Sequence, residues 1–459
     1  MPGHYWIDTS GCQMNERDSE TIAGICESLG MIPCASAEQA DVAVLNTCAV
    51  REKPQQKVFS KLGELAKLKR ARPEMLIVVA GCVAQIAAEE LRRRHADLLV
   101  GPRCYDQLER ALSVLRDQRD GPVTLCDGER PIGEGLPARR ASPLTAFVNV
   151  THGCNNFCAY CIVPYARGPE QSREPQAVLA EVESLIGQGC REVTLLGQNV
   201  NSYGHDLRTG VDFSALLEMV DATEGLERVR FTTSHPKDLT EGLIEAMAEL
   251  PSVCEHLHLP IQAGADRVLE AMGRGYTCQH FRSLVERARE RIPGLAVTTD
   301  VMVGFPGETE EDFRATMRAF EELQFDQAFM FKYNDRPGTR AAEMEPKVPE
   351  QEKQRRLEEL VALENEIARE KNRRLVGASF EVLVEESDLR SAGHMRGRTR
   401  TNKLMIFPGG LDLIGQMVIA RAEEAYLWGF KGRTAGKGQG AKGKGERRAA
   451  MARRVFPLR

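Results

Sequence analysis

The apolar positions of this chain gather in short runs rich in Val, Ile and Leu, separated by longer stretches in which they recur at helical spacing. Within residues 1–125 three such runs, YWIDTSGC, VAVLNTC and MLIVVAGC, end in a cysteine and are followed by a helix-like segment. Runs of this kind alternating with helices predict parallel strands in βαβ units, because such strands are covered on both faces. The terminating residues Cys12, Cys48 and Cys82 lie 36 and 34 residues apart, and one βα unit takes roughly 30 residues or more. Each cysteine is therefore expected at the carboxyl end of a successive strand, the edge at which open parallel sheets gather ligands. The spacing predicts that three distant thiols meet. Cys26, Cys34, Cys104 and Cys126 lack this placement and are expected as small buried side chains.

Residues 121–143 are rich in Gly, Pro and Arg and read as a linker. Beyond it six runs recur with helical segments between them: AFVNVTHG, EVTLLGQN, RVRFTTSH, HLHLPIQ, AVTTDVMVGFPG and QAFMFKYN. Six βα-like units predict a partial or complete (β/α) barrel with its chemistry at the carboxyl ends of the strands. Residues 350–374 form a charged helix with Leu357, Leu360, Val361 and Leu363 on or near one face. The short strands that follow, SFEVLVEES, KLMIFPG and GQMVIARAEEA, predict a small β-barrel with a basic patch at Arg396, Arg398, Arg400 and Lys403. The expected fold class is α/β: a Rossmann-like parallel sheet, a partial barrel, then a small carboxy-terminal β-barrel.

Composition narrows the class. At 459 residues the chain is expected to hold two to four domains, and 42% hydrophobic with 28% charged residues is that of a soluble globular protein. No stretch reaches the roughly 18 consecutive apolar residues of a membrane span. The opening MPGHYWIDTSGC lacks the order of a signal peptide, so a cytoplasmic protein without a membrane partner is expected. There, thirteen cysteines, an odd number, point to metal or chemistry rather than to disulfides. The net charge of −5 conceals an asymmetry: residues 431–459 carry ten Lys and Arg against one acid, with many glycines. A flexible basic arm on an acidic body is expected to attract a polyanion, nucleic acid first, unless it is merely a solvated tail.

The sharpest chemical signal is GCNNFCAYC, with Cys154, Cys158 and Cys161 spaced C-x3-C-x2-C directly after a strand. Three thiolates on one loop can hold three irons of a four-iron cluster, which leaves the fourth iron to a small molecule. Zinc, with His152 as fourth ligand, is the alternative, although structural zinc ordinarily pairs two C-x2-C units. A disulfide would leave one cysteine over. The triad resembles the signature of the radical S-adenosylmethionine (SAM) superfamily. That resemblance implies that SAM chelates the open iron and is cleaved reductively to a radical that takes hydrogen from an unactivated carbon. Tyr160 matches the aromatic the superfamily sets against the adenine, and Gly197, Gln198 and Asn199 the strand end near the amino group of SAM. Ser234, Gln262 and Asp300 also end strands and are expected at the mouth, while His235, His256 and His258 are expected as structural. GFPGE lacks the Lys and the spacing of a phosphate loop.

Both cysteine sets together resemble the methylthiotransferases. TSGCQMNERDSE, NTCAVREKPQQKVFSKLG and GCVAQ match the amino-terminal domain of that family. HGCNNFCAYCIVPYARGPEQSR, LLGQNVNSYG, TSHPKDL, EHLHLPIQAGADRVLEAMGRGYT and DVMVGFPGETEEDF match its radical SAM domain. GRTRTNKLMIFPG and LIGQMV match its RNA-binding TRAM module. The wording is closest to the MiaB type, which acts on tRNA. The resemblance implies an auxiliary 4Fe–4S cluster on Cys12, Cys48 and Cys82, and a SAM-cleaving 4Fe–4S cluster on Cys154, Cys158 and Cys161. It also implies isopentenyl-adenosine beside the anticodon of tRNA as substrate, methylthiolated at carbon 2. An electron donor such as flavodoxin or ferredoxin and a sulfur source would serve it, and Arg396, Arg398, Arg400 and Lys403 would hold RNA phosphates. One departure is QAGA at 262–265, where the family commonly has two serine hydroxyls. The expected division is 3–120 for the auxiliary-cluster domain, 121–143 linker, 144–374 radical SAM domain, 375–430 TRAM and 431–459 flexible tail. The alternatives are a relative acting on threonylcarbamoyl-adenosine or a ribosomal-protein aspartate, and a noncatalytic iron–sulfur RNA-binding protein.

Overall fold

The structure, a computed structural model, describes residues 3–49, 52–117 and 121–437. Most of the basic tail expected from the sequence lies outside them.

The first unit is a six-stranded parallel sheet of β1 (His4–Ser10), β2 (Ile32–Pro33), β3 (Val42–Thr47), β4 (Leu76–Ala80), β5 (Leu98–Val100) and β6 (Val123–Leu125), in the order β2-β1-β3-β4-β5-β6. β3 and β4 are buried along their whole length. Ala43, Leu45, Ile77 and Val79 pack on one face of the sheet and Val42, Val44, Leu76 and Val78 on the other. Burial of both faces is why these runs show no polar alternation. The register pairs Ser10 with Thr47 and Asn46 with Ala80, so Cys12, Cys48 and Cys82 emerge side by side just past three adjoining strand ends. The expected linker starts later than residue 121, because Val123–Leu125 pairs with Leu98–Val100 as the last strand of the sheet. Three residues between turn signals are too short a run for strand periodicity to show.

The second unit is a half-barrel. β7 (Thr145–Asn149), the short antiparallel pair β8 (Thr151–His152) and β9 (Gln171–Ser172), β10 (Glu192–Leu196), β11 (Arg228–Phe231), β12 (His256–His258), β13 (Ala296–Val303) and β14 (Gln327–Lys332) follow in order. β11-β10-β7 and β12-β13-β14 form two parallel sheets linked by a bridge from Val229 to Val253. All six runs expected as barrel strands are strands. Their outward residues, among them Val148, Val193, Leu195, Val229, Val297 and Val301, join the surrounding helices in the largest core.

The Glu350–Arg374 helix packs on β14 and reaches the third unit, a closed barrel ordered β15-β16-β17-β19-β18. Its strands are β15 (Ser379–Ser387), β16 (His394–Thr399), β17 (Leu404–Pro408), β18 (Met417–Tyr426) and β19 (Gly429–Lys437), and Phe380 stacks on Phe430 in its core with ring centroids 5.2 Å apart. Two strands escape the sequence pattern. β16 is the basic patch itself: Met395, Gly397 and Thr399 turn inward while Arg396 and Arg398 turn out. β19 takes up the first residues of the expected flexible tail, Lys431 pairing with Ile406 across the barrel seam. Among the described residues no helix is long and apolar enough to cross a membrane.

Candidate active site

The first cysteine set closes as its spacing predicts. Cys48 and Cys82 are each 3% exposed, and Cys12 is half-buried at the start of the Gln13–Ser28 helix. The Cys48 thiol, assisted by the charge of Arg167 and opposed by burial, draws the Cys12 thiol down to about 6. Burial pushes Cys82 up, and Arg167 opposes it. Two fully buried asparagines brace the loops. Asn15 Nδ2 donates to Asn46 Oδ1 at 3.2 Å, Asn46 Nδ2 donates to the Asn15 carbonyl at 2.8 Å, and Asn15 Oδ1 accepts from the Cys12 amide at 3.4 Å.

The second set sits on the loop after β8. Gly153 has φ +73°, and a Cβ there would lie 2.0 Å from the Pro169 carbonyl, so only glycine lets this loop lie so close to the 168–169 backbone. The Cys154 amide donates to the Gly168 carbonyl at 3.2 Å and the Ala159 amide to the Met272 carbonyl at 2.8 Å. Cys154 and Cys158 are buried and Cys161 half-buried. Burial pushes the Cys154 thiol up to about 11 and the Cys161 thiol up to about 12. Arg274, 5% exposed, donates from Nη1 to Cys158 Sγ at 3.3 Å and from Nε to Tyr276 Oη at 3.1 Å. Tyr276 Oη in turn donates to the carbonyl of Ile261 at 3.0 Å, tying the loop to the end of β12.

A single segment joins the two sets. Ile162, next to Cys161, and Ala166 belong to the core that also holds Cys82, and the short Val163–Arg167 helix packs on the Cys82–Ile86 helix. Arg167 at its end is 3% exposed and donates from Nη2 to the equally buried Asp18 at 2.7 Å, while its Nη1 is buried with no hydrogen-bond partner among the described residues. Arg103, from the sheet domain, answers in the opposite direction. Its Nε donates to the Arg167 carbonyl at 2.6 Å, and its Nη2 donates to the Pro169 carbonyl.

The other expected residues gather at the barrel mouth in differing states. Tyr160 is half-buried against the barrel core. A Cβ at Gly197 would lie 2.1 Å from Thr151 Oγ1, so glycine is needed for the close approach of β10 to β8. Both amide atoms of Gln198 and the hydroxyl of Ser234 are buried without partners among the described residues. Asn199 donates to Asp238 at 2.7 Å. Asp300 Oδ2 lies 3.5 Å from His258 Nε2, and His258 Nδ1 is 3.0 Å from Thr298 Oγ1, which also contacts His256. Phe157, Thr233 and Gln262, all beside this mouth, hold positive φ of 44°, 67° and 67°. Such strain costs roughly 1–3 kcal/mol per residue and collects at functional sites. His152 is buried, held neutral by desolvation and by Arg167 and Arg173, and faces a cavity of about 440 Å³ that none of the triad cysteines lines.

The basic patch divides. Arg400 is 7% exposed and locked to Glu255 at 2.7 and 2.9 Å, and Lys403 is 8% exposed and paired with Asp326 at 3.0 Å. These two hold the small barrel to the half-barrel, where Arg228 and Arg230 donate to the carbonyls of Glu381, Arg398, Thr399 and Arg400. The expectation that Arg400 and Lys403 bind phosphate is corrected: their charges are spent on the half-buried carboxylates of Glu255 and Asp326. Arg396, paired with the exposed Glu386 at 2.6 Å, and the exposed Arg398 remain at the surface.

A half-barrel with this cysteine loop at the end of its first strand defines the radical SAM class. The Radical SAM superfamily model matches residues 148–320, that of Uncharacterized protein family UPF0004 residues 4–101, and the TRAM domain residues 373–433. A tRNA-2-methylthio-N(6)-dimethylallyladenosine synthase of Moorella thermoacetica is 49% identical over 93% of this chain and 97% of its own. The protein of that name from Carboxydothermus hydrogenoformans is 48% identical over 93% and 98%. Among solved structures, the radical SAM methyltransferase TsrM of Kitasatospora setae with cobalamin and a 4Fe–4S cluster aligns at a TM-score of 0.54 and 16% identity, over 74% of this chain and 77% of that one, a likeness of fold. The chain belongs to the tRNA-2-methylthio-N(6)-dimethylallyladenosine synthase family.

Membership brings SAM and 4Fe–4S clusters as cofactors, and the donor sets fit them. Each set offers three unbridged thiols and one buried guanidinium, and the mouth holds unpaired polar atoms of Gln198 and Ser234. Among the described residues no three His, Cys, Asp or Glu side chains are set for a single metal ion, whereas the thiolates of a four-iron cluster each take a different iron. Sequence reasoning missed Asn15, Asn46, Arg167 and Arg274; the first three lie within six residues of a set cysteine, in CQMN, NTC and CIVPYAR, whereas Arg274 lies far from all six.

Proposed function

We propose that this protein converts N(6)-isopentenyladenosine beside the anticodon of tRNA to its 2-methylthio derivative. The observation that supports the reading is the Ile162–Arg167 segment, which follows Cys161 and packs both in the core that holds Cys82 and on the Cys82–Ile86 helix. Cys154, Cys158 and Cys161 would hold the cluster that binds SAM, and Cys12, Cys48 and Cys82 the auxiliary one. When bound, these groups supply a radical able to break an aryl C–H bond, together with the sulfur and the methyl group that replace the hydrogen.

The side chains of this chain orient and insulate. Arg274 sets a positive charge 3.3 Å from the Cys158 sulfur, and Arg167 sets one near Cys12 and Cys82, where it favours the thiolates that burial disfavours. The amide of Gln198 and the hydroxyl of Ser234 offer donors and acceptors to the polar end of SAM, with Tyr160, Gly197, Asn199, Gln262 and Asp300 around them. The target base must leave its stack to reach the mouth, and anticodon-loop bases are already partly unpaired, which lowers that cost. Arg396 and Arg398 face the phosphates. We divide the work among residues 3–125 for sulfur supply, 144–374 for SAM chemistry and 375–437 for RNA, in the cytoplasm. A one-electron donor such as flavodoxin or ferredoxin and an external sulfur source complete the cycle.

The test is anaerobic: reconstituted protein, SAM, reductant and tRNA carrying isopentenyl-adenosine, followed by nucleoside mass spectrometry. A methylthio group replacing one hydrogen on that nucleoside is expected. 5'-Deoxyadenosine without modified nucleoside would mean that the substrate is wrong, and neither product would return the noncatalytic binding protein.

A further inference from the structure

The hairpin between β18 and β19 carries a surface that the cysteine chemistry does not use. Tyr426 and Trp428 stack on each other with ring centroids 5.0 Å apart and planes 11° from parallel, and Lys431 Nζ sits 5.4 Å over the Tyr426 ring. Trp428 is 45% exposed and its neighbour Leu427 40%, large apolar areas to leave in water. The platform is fixed from behind: Asn372 Nδ2, 1% exposed at the end of the Glu350–Arg374 helix, donates to the Tyr426 carbonyl at 2.7 Å and the Leu427 carbonyl at 3.3 Å. The next two helix residues, Arg373 and Arg374, are 72% and 70% exposed, with Glu370 at 3.9 and 3.1 Å as their acidic neighbour. From Gly429 the chain runs through β19 toward residues 438–459, which hold seven Lys and Arg and one acid.

We infer that the Tyr426–Trp428 hairpin is a stacking surface for an exposed nucleobase of the tRNA, with Lys431, Arg373 and Arg374 as its cationic rim. The inference rests on the tRNA reading above and places its contact. Three features argue for RNA rather than a protein partner. Parallel rings present a flat face that accepts any base. Lys431, Arg373 and Arg374 outnumber the carboxylates beside them, Glu370 and the Glu424 that accepts from Tyr426 Oη at 2.6 Å, and the chain that follows is basic in composition, as phosphates require. And two of the four cations expected to meet RNA, Arg400 and Lys403, are consumed in the seam with the half-barrel, so Arg396 and Arg398 need further contacts on the small barrel.

The chain has two tryptophans, Trp6 and Trp428, so Trp6→Phe leaves Trp428 as sole reporter. Titrating the full-length W6F protein with tRNA carrying isopentenyl-adenosine should quench its tryptophan emission saturably, over the range in which a gel shift shows the complex. Trp428→Ala should weaken tRNA binding about tenfold, the loss of one base–aromatic stack, and Trp428→Phe should restore most of it, while both melt with the wild type. Equal affinity of W428A and wild type with unchanged Trp428 emission would overturn the surface and leave the tRNA reading standing. If the wild type binds no tRNA, the reading falls and the surface with it.

Discussion

Arg167 and Arg274 perform the same task at two places. Each is a fully desolvated guanidinium that reaches a cysteine set from a distant part of the chain: Arg274 is 116 residues from Cys158, and Arg167 is 149 from the Asp18 that orients it. A buried cation survives only with partners, and thiols or thiolates of a cluster site are part of the partnership in both cases. The triads themselves can be separated by mutation. Cys154, Cys158 and Cys161 together changed to Ala should abolish 5'-deoxyadenosine formation while retaining about half of the bound iron, since one of two four-iron sites survives. Cys12, Cys48 and Cys82 changed to Ala should leave SAM cleavage and remove the methylthio product. Cleavage by the first variant, or product from the second, would sink the division of labour. The cysteines are legible in the sequence because their spacing is that of strand ends and of one loop. The arginines are not, since nothing local distinguishes an arginine aimed at a thiol from one aimed at water.

At the scale of elements, the strands announce themselves where both faces are buried and fail to where one is not. β3 and β4 are continuous apolar runs, whereas β16 alternates Met395, Gly397 and Thr399 with arginines and reads as a charged loop. Charge in a sequence does not name its partner: Arg400 meets Glu255, 145 residues away. The Glu350–Arg374 helix shows the converse. Its polar spacing is plain, yet Glu364 on it is 3% exposed, with neither carboxylate oxygen hydrogen-bonded among the described residues. Burial, with Asp326 nearby, pushes its carboxyl up to about 8 against the pull of Lys371 and Lys403. The folded protein therefore holds this proton more tightly than the unfolded chain does. Stability falls as pH rises from the ordinary glutamate range to about 8 and levels off above it, a loss of a few kcal/mol. Glu364→Gln removes the titration. Its melting temperature should gain on the wild type steadily between pH 5 and pH 8, and a gap that does not change with pH would refute the buried acid.

At the scale of the whole molecule, the sheet domain and the half-barrel exchange arginines across one junction: Arg167 enters the sheet domain to reach Asp18, and Arg103 leaves it to hold the carbonyls of Arg130, Arg167 and Pro169. Neither is placed as a cluster ligand, yet between them they fix how far apart the two cysteine sets stand. Sulfur transfer needs a substrate carbon within reach of both sets at once, and a displacement of about 1 Å can cost roughly a hundredfold in rate. SAM cleavage needs only one set. Loosening the junction should therefore uncouple the two. Arg103→Ala removes the clamp while leaving all six cysteines, Arg167 and Arg274 in place. The variant should bind as much iron as the wild type and still form 5'-deoxyadenosine, but the ratio of 5'-deoxyadenosine to methylthio nucleoside should rise about tenfold or more. Arg103→Lys, which can keep one of the carbonyl contacts, should fall between. An Arg103→Ala protein with full iron, a cooperative melt and an unchanged ratio would show that the distance between the two sets is held by something other than this exchange.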